Sequence, residues 1–160
     1  MLVNAHKLTD INLLRLDELV GYSPYPIHLT SEWLTTYVEE FNKSKAAKIL
    51  IFQEPDQEKY YGFLPLELNE SRGTRFFNLR RLSPLGTGPS DFFDIPCIPG
   101  FEKEFADCIV TWLKKNRYFW DSLQLDLIPK SSKMWQPLLF SLQENGFVPH
   151  YSSERRFFYV

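Results

Sequence analysis

The segment Leu85–Pro96, LGTGPSDFFDIP, places two carboxylates three positions apart, on either side of two aromatic rings. Its glycines, proline and serine predict a loop, and glycine lets a backbone approach a ligand closely. An aspartate in such a loop can accept hydrogen bonds from hydroxyls or an amine, while a phenylalanine can stack on a sugar ring or a peptide. The segment is therefore a candidate wall of a substrate groove, formed by Gly86, Gly88, Ser90, Asp91, Phe92 and Asp94.

A structural interpretation of the same segment stays open. One aspartate would then cap a turn, and the phenylalanines would pack into the core. We expect Phe93 to be buried. If Asp91 and Asp94 line a groove, changing them to asparagine leaves stability nearly unchanged, because solvated surface acids contribute little. A turn-capping aspartate would instead lower the melting temperature when it is replaced.

The remaining reactive residues are dispersed. The three histidines, His6, His28 and His150, lack the spacing of metal ligands, so we expect no metal site. Cys97 has no histidine close by in sequence, which disfavours a thiol nucleophile. We expect Cys97 and Cys108 to be reduced, buried thiols rather than a disulfide.

Glu67 falls within a predicted strand, where a carboxylate could act as a general base toward an amine. An exposed face or an edge position is the favoured explanation for this acid. Pro65, two residues earlier, cannot donate to a strand ladder, so we expect a bulge or an edge there.

Composition restricts the class of protein. The 160 residues suit one domain, and 44% hydrophobic residues suffice for a core. No run of about 18 apolar residues occurs, so we expect no membrane span. The N-terminus lacks the apolar region of a signal peptide, which predicts a cytoplasmic location. A net charge of −2 without a Lys/Arg-rich block argues against a nucleic-acid partner.

Hydrophobic periodicity predicts helices over Thr30–Phe41, after Pro99–Gly100, and from near Pro137 to Asn145–Gly146. In the second of these helices Trp112 falls on the apolar face and is expected in the core. The predicted strands are Ala47–Gln53, Tyr60–Leu68, Arg75–Gly86, Trp120–Pro129, Phe147–His150 and Arg155–Val160, with a weak extra strand at Ile11–Leu16. This order predicts an α/β fold with one mixed α+β sheet and helices on both of its faces.

Four segments in this order resemble the N-terminal half of the CelD/BcsL-type acetyltransferases, GNAT proteins related to the FemAB peptidyltransferases. They are LTSEWL (Leu29–Leu34), YGFLPLEL (Tyr61–Leu68), RRLSPLGTGPSDFFDIP (Arg80–Pro96) and WDSLQLDLIP (Trp120–Pro129). The resemblance covers Pro26 to Val160. Because that family pairs two GNAT-like halves, the resemblance implies that residues 1–160 form a single GNAT-like domain, the N-terminal half of a tandem protein.

The resemblance also implies a function, which is acyl transfer from acyl-CoA to an amine or hydroxyl acceptor. This half would bind a small-molecule, sugar or peptide acceptor and pack on a catalytic second GNAT-like half, in the same or a separate chain. The alternative is a non-catalytic protein-interaction module with a degenerate GNAT fold, which uses its sheet face or edge for a partner.

Acyl-CoA is the co-substrate of the family, but we do not expect this domain to bind it. GNAT enzymes usually hold its diphosphate with Arg/Gln-x-x-Gly-x-Gly/Ala between a central strand and a helix. The nearest match, Arg81 with Gly86 and Gly88, has the wrong spacing. Asp91 and Asp94 follow it and would repel a diphosphate. The sequence therefore predicts no cofactor-binding residues, and the catalytic residues stay unassigned.

Overall fold

In the computed structural model, residues 1–41, 47–55, 59–74, 77–86 and 92–150 are described. Across these ranges, five strands form one sheet in the order β1-β2-β3-β4-β5. They are β1 (Leu2–His6), β2 (Ala47–Gln53), β3 (Tyr60–Thr74), β4 (Phe77–Pro84) and β5 (Ser122–Leu123). Strands β1, β2, β3 and β4 pair antiparallel in that order, whereas β5 runs parallel to β4. The predicted mixed sheet is confirmed.

Helices cover both faces of this sheet. They are α1 (Leu13–Val20), α2 (Ser31–Phe41), α3 (Glu102–Lys115) and α4 (Trp135–Glu144). Phe105 of α3 contacts Gly62 of β3, whereas Tyr37 of α2 reaches Glu67 of the same strand. Successive strand residues point to opposite faces, so positions 62 and 67 place α3 and α2 on opposite sides. Among the described residues, no helix has the length and apolar character needed to cross a membrane.

Local sequence signals explain where the helices begin. The side chain of Asn12 accepts a hydrogen bond from the Arg15 backbone and so caps α1. Asp17 of α1 accepts hydrogen bonds from both the backbone N–H and the hydroxyl of Ser31, which fixes the start of α2 against α1. Acidic residues in the first turn of α3 and lysines in its last turn complement the helix dipole.

The three helices predicted from periodicity are confirmed, with ends shifted by one or two residues. The expectation for Trp112 is wrong in part, because this side chain packs against the core but is only half-buried. The buried positions of α3 are Phe105, Ala106, Ile109, Val110 and Leu113. They form the stripe that faces the sheet and α4, and Trp112 lies at its margin.

Several strand predictions differ from the structure. The weak strand at Ile11–Leu16 is wrong, because Leu13–Val20 is helical and buries Leu16, Leu19 and Val20 at helical spacing. Strand β1 precedes it and was not predicted. Within Trp120–Pro129 only Ser122 and Leu123 pair with β4. Phe147–His150 forms no strand, and the predicted strand Arg155–Val160 lies outside the described residues.

Pro65 lies in the middle of β3, opposite Ile49, and not at the bulge or edge that was expected. Its carbonyl accepts a hydrogen bond of 3.1 Å from the Leu85 backbone, so its nitrogen also faces β4. At this point β4 has ended, and the next donor on β3, Phe63, bonds instead to Pro96 at 3.1 Å. The proline therefore sits where the adjacent strand is interrupted, and no ladder hydrogen bond is lost.

We expect the substitution Gly62→Ala to destabilise the protein. A Cβ atom at Gly62 would lie 2.7 Å from the Phe105 ring and 2.9 Å from the backbone oxygen of Pro96. Overpacking of this kind costs about 1–3 kcal/mol, measurable by denaturant unfolding. Gly21→Ala is the control, because no atom lies within 4 Å of its Cβ and its φ of −62° suits alanine. Equal stability of the two variants would contradict the packing described for Gly62.

Candidate functional site

The candidate site lies in the connection between β4 and α3. The chain leaves the sheet at Gly86, whose φ is +84°. A Cβ atom there would lie 2.0 Å from Cη2 of Trp33 on α2, so both the backbone angle and the contact require glycine. The chain returns beside β3 at Pro96 to Ile98, where the Ile98 backbone donates a 2.7 Å hydrogen bond to Tyr61. Gly86 is thus placed by packing against an indole ring.

Asp94 is the most constrained of the predicted groove residues. Its side chain is 4% exposed. Oδ2 accepts a hydrogen bond of 2.9 Å from the hydroxyl of Ser23, and Oδ1 accepts one of 2.5 Å from the hydroxyl of Ser132. Oδ1 also accepts a 2.8 Å bond from the Ile95 backbone. The expectation that Asp94 is a solvated loop acid is therefore wrong, because this carboxylate is a buried junction between three segments.

The two phenylalanines of the segment differ in environment. Phe92 is half-buried and stacks on Tyr25, with ring centroids 4.5 Å apart. Phe93 is 4% exposed, and its backbone N–H bonds to Leu127 at 3.2 Å. The predicted burial of Phe93 is confirmed. Gly88, Ser90 and Asp91 lie outside the described residues, so their role in a groove stays a prediction.

A cavity of about 350 Å³ adjoins Asp94. It lies between the turn that follows α1, the returning part of the β4–α3 connection, the first turn of α3 and the turn before α4. The lining residues that matter for its chemistry are Tyr22, Ser23, Asp94, Cys97, Glu102 and Lys133. Of the predicted groove residues that the structure describes, only Asp94 lines this cavity.

The charges of the cavity wall are predominantly negative. Asp94 and Glu102 contribute two carboxylates, and Lys133 contributes one ammonium group. Glu102 accepts a 2.8 Å hydrogen bond from the backbone N–H of Gly100, just ahead of α3. The N-terminus of a helix usually attracts anions. At the start of α3 the carboxylate of Glu102 already occupies that place.

Glu67 is buried on β3 beneath α2, with 2% of its side chain exposed. The expectation of an exposed face or an edge is wrong, because β3 is the middle strand of the described sheet. The hydroxyl of Tyr37 hydrogen-bonds to Glu67; burial raises the pKa of Tyr37, and the charge of Glu67 raises it further. Glu67 is not among the described residues that line the cavity, so the structure does not bring it together with Asp94.

The two cysteines are free thiols. Cys97 lines the cavity but is 7% exposed. Burial, reinforced by the negative charge of Glu102, raises the pKa of Cys97 to about 12. At neutral pH it is a protonated thiol and therefore a poor nucleophile. Within the described ranges, no group of three or more histidine, cysteine or acidic side chains could hold a metal ion.

The fold of this chain is similar to that of several proteins of known structure. No protein-family model matches the chain, and no curated protein matches its sequence. Solved structures do match over nearly the full length of both chains. An acetyltransferase from Trypanosoma brucei is 15% identical with a TM-score of 0.60 and 98% of each chain covered. Glucosamine-6-phosphate N-acetyltransferase from Arabidopsis thaliana is 14% identical with a TM-score of 0.59, covering 98% of this chain and 97% of that one.

An aminoglycoside acetyltransferase from an uncultured soil metagenomic sample, solved in complex with trehalose, is 12% identical with a TM-score of 0.55. The match covers 99% of this chain and 95% of that one. These likenesses confirm the predicted fold as that of the GNAT acetyltransferases. At such low sequence identities they establish the arrangement of helices and strands alone.

Replacing Asp94 by alanine should destabilise the fold. The change removes three hydrogen bonds to a charged group and leaves the hydroxyls of Ser23 and Ser132 without their acceptor. We expect a loss of about 2–4 kcal/mol in denaturant unfolding, given the strength of charge-assisted hydrogen bonds. Asp10→Ala is the control, since among the described residues the side chain of this exposed acid bonds to the hydroxyl of its neighbour Thr9 alone. If Asp94→Ala lost no more unfolding free energy than Asp10→Ala, the stabilising role of the Asp94 hydrogen bonds would be contradicted.

Cys97 should resist thiol reagents in the folded protein. Its raised pKa and burial leave almost no accessible thiolate at neutral pH. We expect labelling by iodoacetamide, read by mass spectrometry of peptides, to be slow in buffer and complete in denaturant. Rapid native labelling of Cys97 would show that its thiol is activated, and it would reopen the nucleophile hypothesis.

Proposed function

We propose that this chain is the acceptor-binding domain of an acyltransferase of the CelD/BcsL type. It would work in the cytoplasm with a second GNAT-like half, in the same or a separate chain, which binds acyl-CoA and carries the catalytic residues. The GNAT fold supports the acyltransferase part of this proposal. The four ordered segments that resemble the N-terminal half of that family support the division of roles.

The observation that carries the proposal is the acidic wall at the start of α3. In GNAT enzymes that bind acyl-CoA, free backbone N–H groups between a central strand and the helix that follows it bind the diphosphate. Here the Gly100 N–H is already bonded to Glu102, and the buried carboxylate of Asp94 lines the same cavity. The negative charges of a diphosphate and of these carboxylates would repel each other, and the repulsion is strong where the charges are shielded from water. The cavity is therefore suited to an acceptor and unsuited to a diphosphate.

In the proposed reaction, acyl-CoA supplies the activated thioester. The acceptor nitrogen or oxygen forms a bond to the acyl carbon, the carbon–sulfur bond breaks, and the proton lost by the acceptor balances the released thiol. This chain holds the acceptor in the cavity and excludes part of the water around it. The buried bonds of Asp94 keep the cavity wall fixed while the acceptor binds.

The second candidate function is a protein-interaction module, favoured by an exposed apolar patch. Tyr118 and Phe119 are 68% and 50% exposed, with ring centroids 4.2 Å apart. Leu79 of β4 is 44% exposed, and its neighbour Arg80 donates a hydrogen bond to the Tyr118 carbonyl. Exposed apolar patches mark interaction surfaces. The same patch would serve the acyltransferase proposal as a surface for the second half.

We expect the isolated chain not to bind acetyl-CoA. Calorimetric titration should show no saturable binding, or a dissociation constant weaker than about 1 mM, which corresponds to roughly −4 kcal/mol. The reason is the carboxylate pair at the place where a diphosphate would need free N–H groups. Low-micromolar binding of acetyl-CoA would contradict the proposed division of roles and would make the chain a self-sufficient enzyme.

A further inference from the structure

We propose that this chain docks peripherally on an anionic lipid surface through the turn between α3 and β5. Two exposed aromatic rings, Tyr118 and Phe119, lie in this turn, and three basic side chains lie in it or directly before it, those of Lys114, Lys115 and Arg117. These five residues are called the basic aromatic turn below. The inference goes beyond the proposed acyl transfer and does not depend on it, since none of the five lines the described cavity.

The backbone of the basic aromatic turn is anchored to the sheet. The guanidinium of Arg80 on β4 donates a 2.8 Å hydrogen bond to the Tyr118 carbonyl and pairs with the Asp121 carboxylate at 3.1 Å. The backbones of Arg80 and Asp121 bond as well, because the Asp121 N–H donates to the Arg80 carbonyl at 2.7 Å. The rings of Tyr118 and Phe119 lie 4.2 Å apart and form one apolar unit. A partner that binds these rings therefore meets an ordered turn, and little conformational entropy is lost.

The charge beside the two rings is positive. Lys114, Lys115 and Arg117 are exposed, and no ion pair in the described part of the chain joins any of them to an acid. Between positions 108 and 125 the sequence contains one acidic residue, Asp121, and this acid is paired with Arg80. The surface that complements the basic aromatic turn therefore carries negative charge.

The size of the apolar surface favours a lipid layer over an acidic protein. Tyr118 and Phe119 are 68% and 50% exposed. Since an aromatic side chain buries about 150–250 Å² in full, the exposed parts of the two rings amount to roughly 180–300 Å². Each partner of a stable protein complex contributes about 800 Å². Two rings alone therefore fall well short of a protein interface.

A lipid layer requires no matching shape. Aromatic side chains are favoured at the level of the lipid headgroups, where a ring inserts without a preformed pocket. Lysine and arginine side chains close to the layer are attracted to anionic headgroups. Stable peripheral binding takes two such signals together, apolar insertion and electrostatic attraction. The basic aromatic turn supplies both within six consecutive residues, Lys114 to Phe119.

The test is co-sedimentation of the full chain with lipid vesicles. Vesicles of phosphatidylcholine and phosphatidylglycerol, mixed three to one, are compared with vesicles of phosphatidylcholine alone. We expect at least about tenfold stronger binding to the anionic vesicles, because each basic side chain near such a surface strengthens binding about fivefold. Raising the salt from about 0.1 M to about 1 M should release most of the protein, because the Debye length falls from about 10 Å to about 3 Å.

Matched variants separate the basic aromatic turn from the rest of the surface. Phe119→Ser should weaken binding to the anionic vesicles about tenfold, because it removes most of the inserted apolar area. Phe140→Ser on α4 is its control, a ring of similar exposure at 54%, and should leave binding unchanged. Lys115→Gln should weaken binding about fivefold. Its control, Lys103→Gln, removes an exposed charge from the first turn of the same helix and should have no effect.

Equal binding to the neutral and the anionic vesicles would overturn the inference, as would the absence of binding to either. An equal effect of Phe119→Ser and Phe140→Ser would overturn it too. Release from the vesicles by free glycerol 3-phosphate would show a site for a soluble anion in place of a lipid surface. Self-association that Phe119→Ser abolishes, without any vesicle binding, would assign the rings to a protein interface instead.

Discussion

The carboxylate of Asp94 is the contact on which the candidate site of this domain depends. It ties the turn after α1, through Ser23, to the turn before α4, through Ser132. It also fixes its own segment through the Ile95 backbone. Each of these three stretches lies outside the helices and the five strands, so contacts between side chains help to hold it in place. One buried acid supplies the common anchor, and the adjoining cavity takes its shape from it.

A second feature, the interruption of β4, explains how this acid comes to lie there. The chain leaves the sheet at Gly86 beneath the Trp33 ring and rejoins β3 at Pro96. Pro65 faces the gap and lacks the N–H that would otherwise be left unsatisfied. The described residues between these points, 92–95, belong to no strand, so Asp94 can turn inward. The break in the strand and the acidic cavity are thus parts of one arrangement.

Local sequence patterns were sufficient for the helices and for the class of fold. Apolar spacing located α2, α3 and α4, since each buries one apolar stripe. It failed at Leu13–Val20, where a short apolar run fits a strand as well as a helix. The site was harder to predict from the sequence, because the buried position of Asp94 depends on Ser23 and Ser132, which lie 71 and 38 positions away. Nothing local distinguishes Ser23 or Ser132 from any other turn serine.

The two points at which the β4–α3 connection joins β3 have a consequence for how such a domain can diversify. Leu85 is held to Pro65, and Pro96 to Phe63, on either side of the break. Both anchors are backbone hydrogen bonds, which any residue other than proline can donate at Leu85 and Phe63. Length and composition between them can therefore change without shifting the register of the sheet. Such variation is compatible with the same sheet as long as an acid remains at the Asp94 junction.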